Sequence, residues 1–77
     1  MPTFRIVAQY QRKMDNELLG HVRNLFERYQ VKRAHRCKPD GTGNIYEIVV
    51  TGHGRALHIT DELTKLGMEA EFTQEPS

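Results

Sequence analysis

Hydrophobic and polar residues alternate in three stretches of the chain: 3–10, 44–51 and 68–73. Side chains of a strand point alternately to opposite faces, so this period predicts three half-buried strands. In the stretch 44–51 the side of the strand that carries Glu47 is assigned to solvent, because burying its unpaired carboxylate would be costly. The side chains expected to face the core in the stretches 3–10 and 44–51 are apolar or aromatic: Phe4, Ile6, Ala8, Tyr10, Tyr46, Ile48 and Val50.

Two other stretches, 15–28 and 54–66, have the spacing of amphipathic helices. Asp15 is a suitable N-cap for the first helix, because its carboxylate can accept from a free amide. Gly67 directly follows the second helix and suits a left-handed C-cap. Gly20 lowers the stability of the first helix, so we expect a close packing contact at that point.

The remaining segment, Val31 to Lys38, is short and basic and ends at a Pro-Asp-Gly turn. It is predicted to be an edge strand. The resulting order β-α-β-β-α-β predicts an α+β, ferredoxin-like sandwich, with a four-stranded antiparallel sheet and two helices on one face. The expected strand order is 4-1-3-2, with the basic and acidic strands at opposite edges. Residues 1–77 are expected to form a single domain with a short tail at 74–77.

The turn after the first strand invites comparison with a known group of domains. The stretch 15–20 reads Asp-Asn-Glu-Leu-Leu-Gly, and the element order over residues 3–73 resembles ACT-like small regulatory domains. It is similar, more loosely, to the domains that end some membrane transporters. In ACT domains an Asp-x-Pro-Gly-x-Leu turn helps to bind an amino acid. Here Asp15 matches, whereas Glu17 and Leu18 occupy the proline and glycine positions. The resemblance implies a regulatory role.

Charge is nearly balanced but unevenly distributed. Eleven Lys and Arg against ten Asp and Glu give a net charge of +1, which argues against a general nucleic-acid coat. Nine of the eleven bases precede residue 40, and five of the ten acids lie at or after residue 61. No apolar run approaches the length of a membrane span or a signal peptide, so we expect a cytoplasmic protein without a membrane partner.

The basic strand has two interpretations. Lys32, Arg33, Arg36 and Lys38 can contact an anionic partner, either a nucleic acid or an acidic protein. Alternatively, these charges protect an edge strand from unwanted pairing, and we favour this second interpretation. Nucleic acid is possible but not favoured, because the aromatic residues of the strands are expected to face the core instead of forming a base-stacking platform.

Candidate catalytic and metal-binding residues are few. The four histidines, His21, His35, His53 and His58, are not clustered with cysteines as a zinc site would require. Cys37 is the only thiol, and no complete catalytic constellation is present. We therefore expect a protein that is not an enzyme and that has no cofactor and no metal site.

The turn between the third strand and the second helix is the sharpest local feature. Gly52, His53, Gly54 and Arg55 combine two small residues with two donors at a helix N-terminus, which is an arrangement that can bind a small anion. A turn that only needs a flexible backbone is the simpler interpretation, and we favour it. If the chain has a small-ligand site, we expect it here.

The expected function is a non-enzymatic regulatory or protein-interaction module. Val7, Ile45 and Val49 are predicted to form an apolar strip between Arg5 and Glu47 on the uncovered face of the sheet, and this face is the expected surface of a homodimer or of contact with a protein partner. The alternative is a nucleic-acid or acidic-protein binding module that uses the basic strand, residues 32–38.

Overall fold

The structure, a computed structural model, describes residues 1–76. Six elements follow one another along the chain: β1 (Thr3–Tyr10), α1 (Asn16–Tyr29), β2 (Arg33–Arg36), β3 (Asn44–Thr51), α2 (His53–Lys65) and β4 (Glu69–Gln74). The strands form one sheet in the order β2-β3-β1-β4, and every neighbouring pair is antiparallel. The predicted ferredoxin-like α+β fold is confirmed, together with the predicted strand order. Neither helix, over the residues described, has the length and apolar character needed to cross a membrane.

The core lies on one side of the sheet, between the central strands and the two helices. The residues that face the helices from β1 and β3 are fully or nearly fully buried, whereas their neighbours along each strand are not. Strand alternation explains this difference. The buried side chains that the two strands contribute are those of Phe4, Ile6, Ala8, Tyr46, Ile48 and Val50, as predicted from the sequence. Tyr10 is only half-buried and packs at the margin of this core.

The ends of α1 follow from local chemistry. The carboxylate of Asp15 accepts a hydrogen bond from the amide of Leu18 at 2.8 Å, so the predicted N-cap is confirmed. The helix ends where Gln30 adopts a left-handed conformation, with φ 54°. Gly20, however, has open space where a Cβ would stand. The close packing contact expected there is wrong, and the glycine leaves α1 less stable than alanine would.

Several element boundaries differ from the prediction, most of them by one residue. β2 covers only Arg33–Arg36 of the expected strand 31–38, because the chain must turn from α1 into the sheet before it and into the Pro39 turn after it. Helix α2 begins at His53, one residue earlier than expected. Gln74 still belongs to β4 instead of to the predicted tail 74–77, whose last residue lies outside the described part of the chain.

Two glycine substitutions are expected to change stability in opposite directions. Gly20→Ala should raise the free energy of unfolding by about 1 kcal/mol, because alanine is the better helix former and nothing crowds its Cβ. Gly67→Ala should lower it by roughly 1–2 kcal/mol, because φ is +94° there. Urea unfolding followed by circular dichroism measures both changes. A loss of stability in Gly20→Ala would contradict the open space around that residue.

Candidate functional site

Within the described residues no element covers the sheet face opposite the helices, and we call this face the open face. Cross-strand register places directly paired residues on the same face, so its members can be followed from strand to strand. They are Thr3, Arg5, Val7, Gln9, Ala34, Arg36, Ile45, Glu47, Val49, Thr51, Glu69, Glu71 and Thr73. The open face thus combines three larger apolar side chains with charges of both signs.

Glu47 is the hub of an ion-pair network across the open face. One carboxylate oxygen lies 3.1 Å from Nη1 of Arg5, and the other lies 3.1 Å from Nη2 of Arg36. Arg5 also donates to the carboxylate of Glu75, beyond the end of β4. The network therefore connects β1, β2 and β3 with the residue that follows β4. Because these groups are partly exposed, each pair contributes at most about 1 kcal/mol, and the main effect is to orient the charges.

The apolar part of the open face is smaller and less continuous than predicted. On β3, Glu47 lies between Ile45 and Val49, and Val7 lies directly opposite Glu47 on β1. The ion pair from Arg5 to Glu47 therefore passes between the apolar residues, whereas the sequence suggested that the two charges flank a strip. Val49 is 48% exposed, which is high for a valine on a central strand. Among the apolar side chains of the open face, Val49 has the most surface that a partner could bury.

Charge changes sign from one edge of the open face to the other. Arg36 lies on the β2 edge, and Glu69 and Glu71 lie on the β4 edge. No aromatic ring is present among the open-face residues, all of which are described, because Phe4 and Tyr46 are buried on the helix side. The stacking platform by which RNA-binding sheets hold bases is missing from this surface.

The basic strand β2 is held in place by a polar contact that the sequence did not reveal. His35 stacks on Tyr46, with ring centroids 4.2 Å apart and planes 4° apart, and its Nε2 lies 2.8 Å from Oδ1 of Asn44. Asn44 is buried, and its amide group donates to the carbonyls of Arg12 and Gly41. Burial raises the pKa of the Tyr46 hydroxyl. The hydrogen bonds of Asn44, together with the stacking of His35 on Tyr46, fix the end of β2 that leads into the hairpin.

The hairpin after β2 is closed by Asp40. Its Oδ1 accepts hydrogen bonds from the Thr42 hydroxyl and from the Thr42 amide, and these bonds lower the pKa of the Asp40 carboxyl. The turn thereby keeps Cys37 and Lys38 exposed. Over residues 1–76 no group of three or more potential metal ligands occurs.

A groove of about 620 Å³ lies between α1 and the edge strand β2, and we call it the basic groove. Its apolar wall and floor come from Leu19, Val22 and Val31, and its cations come from Arg23, Lys32 and Arg33. The guanidinium of Arg33 lies over the Phe26 ring, 5.1 Å from its centroid, so it is held on the helix side of the sheet. Of the four basic residues singled out in the sequence, the groove brings together Lys32 and Arg33, while Arg36 is on the open face.

The predicted ligand turn, Gly52 to Arg55, is largely occupied by structural contacts. The ring of His53 packs against Phe4 and Phe72, at 5.5 Å between centroids in each case. Arg55 donates through Nη2 to the carbonyl of Tyr29 at the C-terminus of α1, where a cation is favoured. Two of the four predicted ligand residues therefore have partners within the chain. A small anion at this turn stays a prediction.

Comparison with known proteins gives structural neighbours only. No known protein family and no curated protein matches the chain. An uncharacterized protein from Thermotoga maritima superposes with a TM-score of 0.80 at 10% identity, covering 96% of each chain. A de novo designed protein superposes with a TM-score of 0.60 at 14% identity, over 99% of this chain and 97% of its own. The C-terminal domain of an ABC transporter ATP-binding protein from Enterococcus faecalis gives 0.50 at 19% identity, over 88% and 80%. At these identities the likeness shows the fold alone.

Replacing Arg55 separates a structural role from ligand binding. Arg55→Ala should lower the free energy of unfolding by about 1 kcal/mol in buffer without added anions, because the last carbonyl of α1 loses a charged donor. Thermal or urea unfolding measures this, with Lys65→Ala, at the opposite end of the same helix α2, as a control. Equal stability of Arg55→Ala and the parent in plain buffer, with a stability difference that appears only on adding phosphate, would instead favour the anion site.

Proposed function

We propose that the chain is a non-enzymatic regulatory or protein-interaction module, related in role to ACT-like domains, which self-associates through its open face. The observation that supports this most is the uncovered central strand, on which Val49 is half-exposed and Val7 lies diagonally opposite on β1. Exposed apolar side chains on an uncovered sheet face are typical of an association surface.

Chain length supports the same proposal. A chain of 77 residues buries a modest fraction of its surface on folding, and small domains commonly gain stability by oligomerising. The described structure covers only one of the two sheet faces with helices. If a second copy covered the open face, it would bury Val7 and Val49 and shield the ion pairs around Glu47 from water.

The charge distribution on the open face favours one arrangement of two copies. A two-fold axis parallel to the strands places β2 of one copy over β4 of the other, so that Arg36 faces Glu69 and Glu71 of its partner. A two-fold axis perpendicular to the strands, in the plane between the sheets, would place β2 over β2 and bring like charges together. The first arrangement also places β3 over β1, with Val49 opposite the aliphatic stem of Arg5.

The proposal predicts that a charge at Val49 abolishes self-association. Val49→Asp removes the most exposed apolar side chain of the surface and adds a carboxylate opposite Arg5, which already pairs with Glu47 and Glu75, so the burial of the new charge is not compensated. Sedimentation equilibrium at micromolar concentration should show a dimer for the parent chain and a monomer for Val49→Asp.

Leu57→Asp is the matched control, because Leu57 is similarly exposed, at 44%, but lies on α2 on the other side of the sheet. It should remain dimeric. A monomeric parent chain, or a dimer lost equally in both variants, would contradict association through the open face.

A further inference from the structure

The outer edge of β2 is free. Among residues 1–76, β2 pairs with β3 on one side and with no strand on the other, and all four of its residues are exposed. A free edge offers backbone N–H and C=O groups to an added strand, and several peptide-binding domains use an edge in this way. The other free edge, on β4, carries glutamates instead of bases.

The basic groove runs along this free edge. A strand added to β2 would direct every second side chain toward the helix layer, into the space between α1 and β2. There it would meet the half-buried apolar side chains of Leu19 and Val31. The edge therefore provides main-chain hydrogen bonds, and the groove beside it provides a place for side chains.

The cations of the groove have no counterpart of opposite sign. None of Arg23, Lys32 and Arg33 forms an ion pair with a carboxylate in the part of the chain described, and the groove has no acidic residue in its lining. Arg36 differs, since it shares the carboxylate of Glu47 with Arg5. Uncompensated cations on an edge repel a basic strand, and they attract one that carries carboxylates.

We propose that this edge binds an extended, acidic peptide segment of a partner protein as a fifth strand beside β2. Apolar side chains of the segment enter the basic groove, and its carboxylates meet Arg23 and Lys32 at the rim. The charges that protect the edge against indiscriminate pairing thus become the determinant of which strand is accepted. This site is separate from the open face, so it does not depend on self-association.

A peptide titration followed by amide chemical shifts tests the proposal on the whole chain. The probe is a blocked hexapeptide of alternating glutamate and valine, and the control peptide has lysine in place of glutamate. The glutamate peptide should shift the amides of 19–23 and 31–36 and slow hydrogen exchange in β2. The lysine peptide should leave both ranges unchanged.

Charge reversal in the groove should weaken binding selectively. The double variant Arg23→Glu with Lys32→Glu should lose about tenfold or more in affinity for the glutamate peptide, whereas Lys65→Glu on α2 should change it by less than about twofold. Both variants alter exposed side chains, and their amide spectra verify that they fold.

Three outcomes would overturn the proposal. They are equal binding of the two peptides, shifts confined to the open face, and an affinity that the groove variant does not change. Tighter binding of single-stranded RNA at the same amides, with displacement of the peptide, would also overturn it and would assign the basic edge to nucleic acid.

Discussion

One-sided burial is the constraint on which the rest of this structure depends. Strands β1 and β3 alternate strictly, so one of their faces packs against both helices while the other retains charged and polar residues. Over residues 1–76 the two helices lie on the same face of the sheet, and no other element covers the second face. The described fold thus leaves one sheet face and two sheet edges open, and the proposed interactions use those surfaces.

The open surfaces differ in charge because the two edge strands differ in composition. β2 has arginines at both ends and β4 has glutamates, while Glu47 at the centre is shared between Arg5 and Arg36. On the open face the charge therefore changes from positive at β2 to negative at β4, and a second copy related by a two-fold axis can complement it. On the helix side of β2, where no carboxylate compensates, the groove is purely positive. The two faces of the same basic strand thus differ in their electrostatic surroundings.

The features that could be predicted from the sequence are those that depend on the hydrophobic period and on the type of residue at a helix end. Alternation in β1 and β3 correctly identified the buried side chains, and Asp15 correctly marked the start of α1. The sequence could not predict the contacts of Glu47 or Arg55, because their partners lie far away in the chain and depend on strand register and on the mutual placement of the helices.

Two residues illustrate how tertiary placement adds to local sequence. His53 was considered as a ligand donor because of its glycine neighbours, and its ring packs against Phe4 and Phe72, a contact that depends on the assembled sheet. Gly20 suggested a close contact, but α1 passes no other element closely there. A signal that was available and overlooked is Asn44, a polar residue at the inward position of β3, where burial requires hydrogen-bond partners.

The central claim, that two copies meet through their open faces with opposite edges superposed, is tested most directly by intermolecular paramagnetic broadening. Cys37 is the only cysteine and is exposed next to β2, so the native chain takes a single spin label. A mixture of labelled chains and ¹⁵N-enriched unlabelled chains should show broadening of the β4 amides around Glu69. Broadening confined to β2, or none at concentrations where the chain is a dimer, would contradict this arrangement.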